Sequence, residues 1–306
     1  MDKTIKLLRL LRLTAVWAPI IFATGAAFSS ELRFQGGENG EFTFDTGVLR
    51  GKLRPGGKSA GLSSVIYLPT GTRVDASMGL FSYYRLFSAN HRYGTAAWDW
   101  PSEARLTDDG DAEVTWPAAP DRAFELRGIY HWVTPDLLEL HTEVKALTNL
   151  NRFEVFLASY FNSPFTNAAV RAADRATPKH VSFCTADRAF GDWQVFPRDD
   201  QAIGVIQDGR WKYEPNPVAW TVVKSLSIPL AFRRSPETGL TGVLMGSRKD
   251  CFAIFTPFQT EPHYSMYLSL FGRDLKPGQT AQARTRLWVG VNIPEEAMIK
   301  QQRNVK

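Results

Sequence analysis

The sequence predicts an all-β protein, a large antiparallel β-sandwich. Short runs alternating between apolar and polar residues recur from Ser30 to Val291. Gly, Pro, Asp and Asn punctuate them at short intervals, and helical periodicity is scarce. Many short strands joined by turn residues, with few helices between them, are the pattern of a sandwich or barrel. The chain has 306 residues, 44% hydrophobic and 22% charged, an ordinary globular composition. No repeat of fixed period points to a propeller or solenoid. No linker-like stretch divides the body, so residues 30–306 are expected to form one β-sandwich domain.

The N-terminal segment 1–29 reads differently. Lys3, Lys6, Arg9 and Arg12 precede an uncharged, mostly apolar run of 16 residues from Leu13 to Phe28. Ala27-Phe28-Ser29 then offers a cleavage triplet ahead of Ser30. This order of parts predicts a secretory signal peptide. A membrane span needs about 20 apolar residues, and Pro19 interrupts this run. The expected location is therefore secreted or periplasmic, with no membrane association after cleavage. Without the four cations and Asp2, the net charge falls from +5 to +2. The remaining charges are mixed and form no long basic run, so no nucleic-acid partner is expected. Cys184 and Cys251 are the only cysteines. An oxidising compartment allows one disulfide between them, and two separate buried thiols fit equally well.

The strand-like runs follow in order. EFTFDTGVLRGKLRP (41–55) and SSVIYLP (63–69) come first, then AEVTWPA (112–118). The clearest pair is AFELRGIYHWV and LLELHTEVKAL, separated by Thr134-Pro135-Asp136, a hairpin signal. Phe124, Leu126, Tyr130 and Trp132 share one face, as do Leu138, Leu140, Thr142, Val144 and Ala146 of the partner. His131 and His141 fall on the opposite, charged face and read as solvated residues. Further runs are FEVFLASYF, QAIGVIQ, LSIPLAF, GLTGVLMG, CFAIFTPF, SMYLSLFG and AQARTRLWVGV. Asn167 to Arg175 reads as a short helix, and PEEAMIKQQRNVK as a brief helix or frayed tail. In the 153–162 run, Phe153, Val155, Leu157, Ser159 and Phe161 form one face. Glu154, Phe156, Ala158, Tyr160 and Asn162 form the other. The first face reads as core; the second mixes rings, an amide and a carboxylate.

Familiar chemical motifs fail one by one. RPGGKSAG (54–61) ends like a phosphate loop, but position 52 is lysine where the pattern requires glycine. No H-E-x-x-H, paired CxxC, EF-hand loop or G-x-S-x-G elbow is present. Asp199, Asp200 and Asp208 read as acidic turn residues rather than a calcium site. No metal or other cofactor is expected.

Two stretches carry candidate site residues. FSYYRLFSANHRYGTAAWDWPS (81–102) packs Tyr83, Tyr84, Phe87, Tyr93, Trp98 and Trp100 around Arg85, Asn90, His91, Arg92 and Asp99. Flat apolar rings beside a few polar groups are the make-up of a small-molecule pocket. A pyranose suits such walls, offering a C–H face to a ring and hydroxyls to polar side chains. Phe87 and one of the tryptophans read as core. Later, Glu261 and His263 bracket Pro262 in a turn. A carboxylate and an imidazole so close can act as base and acid if their surroundings separate their pKa values.

These places, in this order, resemble the galactose mutarotase-like (aldose epimerase-like) β-sandwich superfamily. The resemblance rests on His91-Arg92-Tyr93-Gly94 with Trp98, the hairpin from Phe124 to Leu147, and Ala158-Ser159-Tyr160-Phe161-Asn162. Leu275-Lys276-Pro277-Gly278 and RTRLWVGV close it. It spans roughly residues 85–291. It implies a supersandwich fold and a sugar ligand held by Arg85, Arg92, Trp98, Tyr160 and Asn162. His91, Glu261 and His263 would be the catalytic candidates. One departure stands out: Ala158 occupies the place of the family's general-acid histidine, and alanine cannot donate a proton. The glycine pair that follows the family's first histidine is replaced by Arg92 and Tyr93.

The expected function is therefore that of an exported carbohydrate-binding protein, holding a sugar or glycan in a sheet cleft. The alternative is a carbohydrate-active enzyme (epimerase, hydrolase or lyase related) with a non-standard acid–base pair. A third reading is a surface or assembly protein whose aromatic sheets bind nothing.

Overall fold

The computed structural model describes residues 32–56, 61–89, 91–174, 178–258 and 264–305. The predicted signal segment 1–29, Asn90, the phosphate-loop-like Gly57-Lys58-Ser59, and both Glu261 and His263 lie outside the described residues. The flanking strands Leu49–Arg54 and Gly61–Tyr67 pair antiparallel.

Among the described residues the strands form three sheets, of five, nine and seven strands. The nine-stranded sheet runs from Val181–Thr185 at one edge, through Leu240–Gly246 and Thr280–Val291, to the predicted hairpin and Glu103–Leu106 at the other. The seven-stranded sheet has Tyr264–Leu275 and Leu150–Phe161 at its centre, with Ser82–Ser88 beside the latter. All pairings are antiparallel except that of Trp193–Pro197 with the short strand Thr221–Val222. The all-β sandwich expected from the alternation is what the chain forms. No helix among the described residues is long and apolar enough to cross a membrane.

The hairpin shows why the pattern is legible. Phe124–Thr134 pairs with Leu137–Ala146 in antiparallel register, and the buried positions are the ones alternation assigns to the core. Successive strand residues point to opposite faces, so the other face collects the charges. There Arg127 donates to Glu143 at 2.9 Å and Arg286 to Glu139 at 2.7 Å. His131 meets Asp111 at 2.7 Å. The two histidines are thus on a polar, ion-paired sheet face.

The two large sheets meet through a shared core. Tyr83 on the seven-stranded side shares a 2.7 Å hydrogen bond with Thr142 on the nine-stranded side, both buried. Gly128 makes room for that tyrosine, since a Cβ there would lie 2.8 Å from its hydroxyl oxygen. Phe153, Val155, Leu157 and Phe161 all belong to this core, as alternation predicts. Phe156, Ala158 and Tyr160 face away from it into a second apolar cluster.

Two elements differ from the sequence reading. Residues 167–173 form a strand between Val181–Thr185 and Ser225–Arg234, not a helix. Four alanines in seven residues hide the alternation and mimic helix propensity. Conversely, QAIGVIQ lies in a helix, Asp200–Ile206, rather than a strand. Asp199 caps it by accepting the Ala202 N–H at 2.8 Å. Its buried residues Ala202, Val205 and Ile206 fall at helical spacing, which seven residues are too few to reveal. The C-terminal segment forms the helix Glu295–Gln302. Cys184 and Cys251 are both buried and free, so the two-thiol alternative holds in this structure.

Candidate functional site

The second face of Leu150–Phe161 is covered by the helix Asp200–Ile206 and by the chain that follows it, bringing Trp211 and Trp220 onto the sheet. Between them lies a cavity of about 460 Å³. Its floor is Phe156, Tyr160 and Tyr267. Phe156 and Tyr267 stack at 4.5 Å between centroids, and Tyr160 meets Tyr267 edge-on at 5.8 Å. One wall is Tyr84, Arg85 and Trp98. The Tyr84 and Trp98 rings lie parallel within 4° and 4.5 Å apart. The opposite side is made by Trp193, Trp211 and Trp220, whose rings meet edge to face.

A β-bulge builds the wall. Along Ser82–Ser88 the register with Leu150–Phe161 shifts between Arg85, opposite Phe156, and Tyr83, opposite Leu157. Tyr84 is the extra residue. A bulge breaks the two-residue period, so Tyr84 and Arg85 both line the cavity while Tyr83 stays in the inter-sheet core. Strict alternation would have separated the two.

Arg85 is 3% exposed. Its Nη2 donates to the Tyr84 hydroxyl at 3.1 Å and to the Asn216 carbonyl at 2.9 Å. Its guanidinium carbon lies 4.8 Å from the Tyr84 ring centre and 5.3 Å from that of Trp211. Behind it Arg92, also buried, donates to the Pro215 carbonyl at 2.6 Å and the Tyr213 carbonyl at 3.2 Å. The two arginines thus hold the 213–216 loop over the site by its backbone. Burial, and next the charge of Arg85, pull the pKa of Arg92 down to about 10. Burial also pushes the Tyr160 hydroxyl well above the ordinary tyrosine value, with Tyr267 adding to the effect, so it is a neutral hydrogen-bonding group.

Of the residues singled out in the sequence, the structure brings Arg85, Trp98 and Tyr160 together as cavity lining, with Arg92 directly behind. His91 is exposed on the two-residue strand His91–Arg92 and packs edge-on against Tyr93. Asn162 closes a turn at the end of its strand, its Oδ1 accepting the Ser163 N–H at 2.9 Å. Neither lines the cavity. Tyr84 was named only as one ring of the 81–102 stretch, and sequence reasoning did not find Trp193, Trp211, Trp220 and Tyr267. The signal available was the clustering of tryptophans at 193, 211 and 220 in a stretch with little strand pattern.

Among the described residues, no Asp, Glu or His lines this cavity. No group of three His, Cys, Asp or Glu among them could hold a metal ion. The acidic residues singled out at 199 and 208 have structural partners: Asp199 caps its helix, and Asp208 holds Arg210. A second cavity of about 430 Å³ adjoins the first and shares Trp211, Val218 and Trp220 with it. Lys212 and Gln207 are the long polar side chains of its lining.

No family model matches the chain, and no curated protein matches it in sequence. Solved structures do match in fold. The Slr1438 protein from Synechocystis sp. PCC 6803 is similar over 87% of this chain and 99% of its own, with 13% identity and a TM-score of 0.51. A galactose mutarotase related enzyme from Lactobacillus acidophilus is similar over 83% of this chain and 99% of its own, with 12% identity and a TM-score of 0.48. The aldose epimerase homologue from C. elegans covers 79% of this chain and 96% of its own, with 9% identity and a TM-score of 0.48. Structures described as mutarotase and aldose epimerase relatives are thus among those this chain is similar to. At these identities the likeness extends to the fold alone.

Proposed function

We propose that this protein is an exported carbohydrate-binding protein, and that the cavity between Tyr84, Trp98, Tyr160 and Trp220 receives one sugar unit of a glycan. The observation that carries the reading is the shape and chemistry of that cavity. Flat rings form its floor and both walls, and among the described residues the polar side chains of the lining are Arg85, Asn216, Ser77, the tyrosines and the tryptophans with their indole N–H groups. Rings give a pyranose C–H face a large rigid contact at low entropic cost, and the few polar groups discriminate among hydroxyl patterns. We place binding ahead of turnover because fixed rings and hydrogen-bonding groups dominate the lining.

Export follows from the cationic and apolar order of residues 1–29, with the mature chain beginning near Ser30. N-terminal sequencing of the protein recovered from the periplasm or medium tests it. Ligand binding is tested by titrating the purified protein with neutral and acidic oligosaccharides while following tryptophan fluorescence. Saturable change with at least one glycan is expected, shifted to higher glycan concentration in Trp220→Ala. No change with any of them at millimolar concentration would reject the reading.

A further inference from the structure

We infer that the glycan unit taken by this cavity carries an anionic group, a carboxylate or a sulfate, received by the Arg85 guanidinium. The inference rests on the saccharide reading above and narrows its ligand class.

The hydrogen-bonding inventory of the lining is one-sided. Arg85 Nε and Nη1 have no partner, although the side chain is almost wholly buried. Trp211 Nε1 and Trp220 Nε1 on the opposite side are likewise buried without partners. These four atoms are all N–H donors, and they are the buried unpaired polar atoms among the lining residues. A neutral sugar hydroxyl both donates and accepts, whereas a carboxylate or sulfate only accepts. The unmet groups match the second kind of ligand.

The charge is one-sided too. The partners of Arg85 are a tyrosine hydroxyl, a backbone carbonyl and two aromatic rings. Those of Arg92 are the backbone carbonyls of Thr95, Tyr213 and Pro215. Glu214 is the carboxylate whose charge reaches Arg92, but it is solvent-exposed and does not line the cavity. A buried cation without a counter-charge is costly. An incoming anion removes that cost and forms charge-assisted hydrogen bonds, which are about twice as strong as neutral ones.

Two matched pairs of ligands test this by calorimetry on the purified protein. One is tetragalacturonate with its carboxyl-reduced, neutral counterpart. The other is a sulfated κ-carrageenan tetrasaccharide with its desulfated form. In at least one pair the charged member should bind at least tenfold more tightly at low ionic strength. That advantage should shrink as salt is raised and disappear in Arg85→Gln. Which pair shows it distinguishes carboxylate from sulfate. If a neutral member binds within threefold of its charged partner, and no pair shows the preference, the anionic inference fails while saccharide binding stands. If no member of either pair binds, both fail. The comparison within the unaltered protein decides even where Arg85→Gln does not fold.

Discussion

The Glu154 carboxylate accepts a hydrogen bond from Arg210 Nη1 at 2.7 Å, with both side chains fully withdrawn from solvent. Glu154 stands on the site-facing side of its strand, and its other oxygen accepts from Ser269 at 2.5 Å. Arg210 also donates to Asp208 at 2.8 Å and to the Arg152 carbonyl at 3.0 Å. Burial raises the Glu154 pKa, and the adjacent guanidinium opposes the rise. The pair fastens the chain around residue 210 to the sheet, and Trp211 is the next residue. A charge network outside the cavity thereby fixes one of its walls.

Removing one member of such a pair leaves a buried charge without its partner. Arg210→Met should therefore lower stability by about 3–5 kcal/mol, read as the midpoint of urea denaturation. Glu154→Gln keeps a hydrogen-bonding side chain in place and should cost less. A loss under about 1 kcal/mol for Arg210→Met would show that the pair does not hold this segment.

Trp220 is half-buried at the cavity, meeting Trp193 at 5.5 Å, Trp211 at 5.4 Å and Phe255 at 4.7 Å between centroids. Replacing it with alanine removes ring contact with the ligand and leaves most of the core untouched. Affinity for any glycan that binds should drop about tenfold or more, since buried aromatic anchors typically cost at least 1–2 kcal/mol on truncation. Trp220→Phe should restore part of the loss. Equal affinities for wild type and Trp220→Ala would remove this side of the cavity from the binding site.

Much of this architecture was readable from the residues. The Phe124–Ala146 hairpin and the two faces of Leu150–Phe161 follow from alternation alone, because each strand separates a dry face from a different environment. Arg85 and Trp98 were readable because rings beside a cation in one short stretch are uncommon in a pure core, and Tyr160 because it stands on the mixed face of the 153–162 strand. The bulge at Tyr84 was not, since it arises from pairing with a strand some 70 residues away. The tryptophan wall was equally hidden: Trp211 and Trp220 reach the sheet only through a helix and loop with no period of their own. The alanine-rich strand 167–173 failed for a third reason, since its sequence favours helix and tertiary pairing overrides it.

Gly242 faces Phe161 across the sandwich, and a Cβ there would lie 2.2 Å from a ring carbon. Phe161 is fully buried in the core that joins the two large sheets, so the ring has little freedom to retreat. Gly242→Ala should cost about 1–3 kcal/mol through overpacking. The double variant Gly242→Ala, Phe161→Leu should recover part of that loss. Thermal denaturation of the four proteins gives the coupling, and strictly additive effects would contradict direct contact.

Burial pushes the Cys251 thiol up to about 12, and it raises that of Cys184 as well. The thiolate is the reactive form, so both thiols should be inert to Ellman's reagent in the native protein and both should react after unfolding. Cys251, the less exposed of the two, should be the slower under partly denaturing conditions. Rapid native reaction of Cys251 would contradict its placement in the sheet.

Asp199 gives the pH dependence its sign. Burial acts to raise its pKa, but the hydrogen bond from Arg198 at 2.8 Å and the Ala202 N–H at 2.8 Å outweigh it and hold the carboxyl below the ordinary 3.8. A carboxylate favoured in the folded state stabilises that state above its unfolded pKa, and the contribution is lost as pH falls through the lowered folded value. At pH 7, Asp199→Ala should therefore destabilise by about 0.5–2 kcal/mol, the usual cost of losing an N-cap. Asp199→Asn retains the cap but not the charge, so it should fall between alanine and wild type. The gap between wild type and Asp199→Asn should hold from neutral pH down to about pH 4, near the ordinary carboxyl value, and narrow as pH falls further. A gap that widens on acidification would mean that the Asp199 carboxyl is not the charged cap of the Asp200–Ile206 helix.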